Sequence, residues 1–139
     1  MAKARATAKR TQLTLKTYTR FPRRQLPLIF QEIYGNIYPD TRDDILGGPV
    51  KKVKYDAIVL ENPHIRVTIV PDLGGKIWSV YDKHAKRETL HVPDCVKPGL
   101  VYVCGAWIAG GMEFNFPIGH HVDSMSPLPA HIVEEGPDR

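Results

Sequence analysis

A chain of 139 residues, 42% hydrophobic and 24% charged, has the composition of one small globular domain. It contains no apolar run near the 18 or so residues a helical membrane span requires, so it is not expected to cross a bilayer. Cys95 and Cys104 form neither a disulfide framework nor a C-x-x-C metal pattern, and are expected to be buried or part-buried thiols of a reduced compartment, the cytoplasm.

The net charge of +4 is unevenly distributed. Residues 1–24 hold Lys3, Arg5, Lys9, Arg10, Lys16, Arg20, Arg23 and Arg24 and no acid; the remainder has eleven basic against fifteen acidic residues, a balance of −4. A charge run without apolar periodicity is expected to be a solvated, disordered tail. It has little serine and weak amphipathicity, unlike a transit peptide. Non-specific nucleic-acid binding through this segment is electrostatically allowed but is the weakest reading, because neither a Gly-rich phosphate loop nor a stacking-aromatic motif accompanies the charge. Residues 25–139 are then the part that folds.

From Tyr18 to Pro49 the chain is rich in proline, tyrosine and arginine, with turn signals at Gly35-Asn36, Pro39-Asp40 and Gly47-Gly48-Pro49, and reads as an extended arm with short strands. After Lys54 a period of two sets in, the signature of strands. It predicts strands over Tyr55–Leu60, Ile65–Val70 (Ile65, Val67 and Ile69 on one face), Lys76–Tyr81 and Glu88–Val92. In the third of these, Ile77, Ser79 and Tyr81 should share one face and Trp78 and Val80 the other. Turns fall at Glu61-Asn62-Pro63, Pro71–Gly75 and Asp82–Arg87, and Leu100–Val103 follows as a buried strand. Short strands between Pro/Gly turns predict an all-β fold, a partial antiparallel β-sandwich with an extended N-terminal arm. Four to six strands leave long edges, so the chain is expected to be the front portion of a larger domain and to fold poorly alone.

Gly105 to His121, GAWIAGGMEFNFPIGHH, combines a double glycine, a carboxylate, an amide and two histidines within an apolar frame. Gly110 and Gly111 permit close approach of backbone or ligand. Glu113, Asn115, His120 and His121 can hydrogen-bond hydroxyls or move protons, which reads as a polar small-molecule site. Alternation places Glu113 and Asn115 on the side away from Met112 and Phe114. The ordinary alternative for Glu113 is a solvated residue or a partner of an arginine such as Arg66. Only one of His120 and His121 can face inward, and the pair lacks metal-ligand spacing. Trp107 and Trp78 can stack on sugar rings or fill a core. Arg66, Lys76 and Lys97 can contact hydroxyls or carboxylates, though singly each is more often a solvated side chain. No cofactor or metal is implied.

The runs LENPHIRVTIVPDLGGKIWSVYDK (Leu60 to Lys83) and VKPGLVYVCGAWIAGGMEFNFPIGHH (Val96 to His121), with TYTRFP from Thr17 and IYGNIYP from Ile33, resemble an uncharacterised family of large proteins. That family is a domain of unknown function with a galactose mutarotase-like fold, commonly followed by tetratricopeptide repeats. The resemblance spans residues 17–135; Gly99, Val122 and Leu128-Pro129 depart from its pattern. It implies an incomplete supersandwich whose concave sheet binds carbohydrate, with Glu113, Asn115, Trp107, Gly110 and Gly111 on the substrate and His120 or His121 donating a proton. In mutarotase-like enzymes the catalytic carboxylate lies later in the domain, so the resemblance implies that this chain lacks its base. The parent is then a sugar-processing enzyme, of epimerase or glycosidase type, or a non-catalytic scaffold with protein partners on downstream repeats.

Overall fold

The computed structural model of the protein describes residues 6–19, 30–31, 36–37, 48–102, 105–114 and 126–133. In chain order the elements are β1 (Thr7–Tyr18), β2 (Phe30–Gln31), β3 (Asn36–Ile37), β4 (Val50–Glu61) and β5 (Ile65–Val70). A 3₁₀ turn (Pro71–Leu73) leads into β6 (Lys76–Asp82), followed by β7 (Arg87–Glu88), β8 (Cys95–Val96), β9 (Pro98–Tyr102) and β10 (Gly105–Ile108). The main sheet has the order β7-β6-β5-β4-β1-β8, and β9–β10 and β2–β3 form two-stranded pairs. It is a curled, open sheet, the partial all-β sandwich expected. The pairings are antiparallel except that of β1 with β8, which is parallel.

The basic N-terminal segment corrects an expectation. Thr7–Tyr18 is not a solvated tail but a twelve-residue strand, hydrogen-bonded along its length to β4 from Thr7↔Glu61 to Tyr18↔Val50. Its charges mask the alternation that matters. Leu13, Leu15 and Thr17 point inward opposite Tyr55, Val53 and Lys51, while Lys9, Arg10 and Lys16 stay exposed. β-branched threonines at 7, 11, 14 and 17 suit a pleated, half-buried strand. Inside, the hydroxyls of Thr17 and Tyr55 lie 2.9 Å apart, which satisfies two buried polar groups at once.

The core consists of Tyr55, Val70, Leu73, Trp78, Val96 and Ile108, with Leu13, Leu15, Val53 and Val92 packed against it. Leu73, Ile108, Val70 and Val96 are the largest fully buried side chains, each contributing roughly 1.5–3 kcal/mol by leaving water. The strand predicted over Lys76–Tyr81 is present, but its alternation breaks. The β5–β6 register shifts between Thr68 and Ile69, so Trp78 is the extra residue of a bulge, and Trp78 and Ser79 are both buried. The strand predicted over Glu88–Val92 shrinks to Arg87–Glu88. Ser79 Oγ donates to the Glu88 carboxylate at 2.9–3.0 Å, tying that short edge to β6.

The opposite face of β1, β4 and β5 is also apolar. Ile58, Leu60, Val67 and Ile69, with Ile132, line a groove of about 540 Å³. Arg10 donates to the carbonyl of Ala130, which fastens this later segment to β1.

Candidate functional site

The double glycine is a point where backbone meets backbone. Gly110 and Gly111 have φ of +78° and +63°, the left-handed region that side chains strain to enter. A Cβ on Gly111 would strike the carbonyl oxygen of Ile77, and one on Gly110 would come within 2.6 Å of the carbonyl oxygen of His91. Freed of side chains, the segment docks on β6. Met112 N donates to Ile77 O at 2.8 Å, Ile77 N to Met112 O at 3.0 Å, and Gly111 N to His91 O at 2.9 Å.

This docking carries Glu113 to Lys76. Lys76 is 3% exposed, although lysines are rarely buried; of its two expectations, a solvated chain and contact with a carboxylate, the structure shows the second. Its ammonium donates to Ile108 O at 2.9 Å and lies 3.8 Å from Glu113 Oε2. Burial pushes the Lys76 pKa below its ordinary 10.5, and the Glu113 carboxylate opposes that shift. Arg66, the partner sequence reasoning offered to Glu113, instead stands 5.0 Å over the Tyr81 ring. The signal for Lys76 was its position two residues before Trp78, on the strand that also buries the indole.

Glu113 lies just past the Ile77↔Met112 bridge, not within a strand. Its side chain is 14% exposed, whereas Met112 and Phe114 on either side are exposed, as the alternation predicted. The result is a part-buried carboxylate set beside a buried ammonium. Such a group accepts hydrogen bonds from hydroxyls in a fixed direction.

Of the other candidates, Trp78 is core, and Trp107 has its backbone in β10. Asn115, His120 and His121 lie outside the described residues. Lys97 is exposed, with Nζ 5.4 Å over the Tyr18 ring, and Cys95 is a half-buried free thiol. Among the described residues no three His, Cys, Asp or Glu side chains gather where they could hold a metal, and no helix is long and apolar enough to cross a membrane.

The structure is similar to the crystal structure of a TPR-domain containing protein from Parabacteroides distasonis, with a TM-score of 0.63 and 27% sequence identity. The similarity covers 88% of this chain and 21% of that one, so the chain spans about a fifth of the solved protein's length. Residues 34–138 match the family described as Domain of unknown function (DUF5107), a stretch that begins in the arm and contains β4 to β10 and the Lys76–Glu113 pair. The chain belongs to the DUF5107 family, an uncharacterised domain with a TPR-protein structural neighbour.

Proposed function

We propose that this chain is the carbohydrate-binding segment of a galactose mutarotase-like domain, with Glu113 accepting hydrogen bonds from sugar hydroxyls and Lys76 holding it in place. The observation that carries this reading is the buried ammonium 3.8 Å from the carboxylate of Glu113, whose side chain is 14% exposed. A buried ion pair is weak evidence for stability, since well-packed apolar residues serve as well or better. A binding function gives a reason for keeping the charges. On this reading Asn115, Trp107 and one of His120 and His121 complete the site, the histidine as proton donor, and any catalytic base lies in a longer parent protein. Calorimetry of the full-length protein against mono- and oligosaccharides tests it. Saturable heat that is lost in Glu113→Ala supports the reading, whereas no heat, or heat unchanged by that substitution, defeats it.

A second reading has its own support. The similar solved structure is described as TPR-domain containing, and this chain corresponds to only 21% of it. The segment would then be a non-catalytic scaffold whose partners bind the repeats. Partner capture that persists in Glu113→Ala, with no sugar binding by the unaltered protein, favours that alternative.

A further inference from the structure

Two exposed histidines meet at one end of the sheet, remote in sequence from the Gly105–His121 segment. His64 is the last residue of the β4–β5 turn and His84 lies in the β6–β7 turn, and His64 Nδ1 stands 2.8 Å from His84 Nε2, with ring centroids 5.1 Å apart. We propose that His64 and His84 form a two-histidine site for a divalent transition-metal ion.

The turns that present the rings are braced. Asn62 Oδ1 accepts from His64 N at 2.8 Å and Ile65 N at 2.9 Å, and Asp82 Oδ1 accepts from His84 N at 2.8 Å and Ala85 N at 2.9 Å. Lys83 joins the two turns. Its backbone N donates to His64 O at 2.9 Å, and its ammonium donates to Asn62 O at 2.6 Å and lies 2.7 Å from Glu61 Oε1. Both imidazoles are thus held from anchored backbone.

Metal–imidazole bonds are about 2.0–2.1 Å, which places two ligands of a tetrahedral ion about 3.3 Å apart. To admit an ion the facing nitrogens part by about 0.5 Å, the rings turn so that both lone pairs converge on it, and the proton now shared between those nitrogens moves to an outer ring nitrogen or to solvent. Imidazole donors select zinc, copper or nickel over calcium or magnesium, which take oxygen ligands. Among the described residues no third His, Cys, Asp or Glu joins the pair; an ion held by two protein ligands, with water in its other positions, exchanges readily. An ion held here clips the β4–β5 turn to the β6–β7 turn and stabilises the folded chain by mass action.

The test is titration of the full-length, tag-free protein with zinc and, separately, nickel at slightly alkaline pH, by calorimetry and thermal melting. One ion per chain and a rise in Tm are expected. His64→Ala and His84→Ala should each weaken binding roughly tenfold or more and remove the Tm rise. Control variants His91→Ala and His131→Ala, at exposed histidines outside the pair, should leave both readings unchanged. Circular dichroism of each variant shows that it is folded. Failure of both ions to bind saturably, binding retained when His64 or His84 is removed, or equal loss in the controls overturns the proposal.

Discussion

The ammonium of Lys76 lies 3.8 Å from Oε2 of Glu113 and joins the first residue of β6 to the segment that follows the double glycine. Lys76 is nearly inaccessible and its ammonium donates to Ile108 O, whereas the Glu113 side chain is 14% exposed. The charges are therefore unequal in environment, and removing either one has a different consequence.

Glu113→Gln takes away the counter-charge and leaves a buried ammonium. The expected loss is about 2–4 kcal/mol of unfolding free energy at pH 7, measured by chemical denaturation. Combining it with Lys76→Met should recover most of that loss, since an apolar chain then fills the site, and a double-mutant cycle reads the coupling directly.

Lys76 also sets a pH dependence. Burial lowers its pKa in the folded state below the unfolded 10.5, so between those values the unfolded chain binds more protons than the folded one. Stability then rises as pH increases from the folded value to 10.5 and levels off above it. Subtracting the Lys76→Met denaturation profile should isolate this rise, and a difference profile that falls with pH would contradict the assignment.

Gly111→Ala should destabilise the protein by about 2–4 kcal/mol, combining the left-handed φ with a Cβ driven into the Ile77 carbonyl. The drop in Tm should be accompanied by faster hydrogen exchange at Ile77 and Met112, whose amides form the bridge.

Deleting residues 1–18 should abolish cooperative unfolding, because β4 loses its twelve-residue partner and Tyr55 loses both Leu13 and Thr17. A single charge reversal on the exposed side, Lys9→Glu, should stay within about 0.5 kcal/mol of the unaltered protein. Equal tolerance of both changes would mean that the segment is a tail after all.

Much of the sheet is legible from period-two alternation. Ile65, Val67 and Ile69 share a face, as Ile58↔Ile69 and Leu60↔Val67 require, and the turns at Asn62 and Asp82 fall where Asn, Pro and Asp mark them. β1 is hidden because its lysines and arginines outweigh Leu13 and Leu15, and strand pairing, unlike charge, is not local. The bulge at Trp78 cannot be read from one strand, since it depends on the register of two. The direction of the Glu113 side chain is legible from its neighbours. Its partner is not, because Lys76 and Glu113 meet only once Gly110 and Gly111 bring backbone against backbone.

The claim that the Lys76–Glu113 pair serves a sugar site is tested most directly by isothermal calorimetry of the full-length protein with a sugar panel, beside Glu113→Gln. The account predicts saturable binding of at least one sugar, weakened about tenfold or more when the carboxylate becomes an amide in a protein that still melts cooperatively. Equal sugar affinity in the two proteins, or no sugar bound by either, would contradict it.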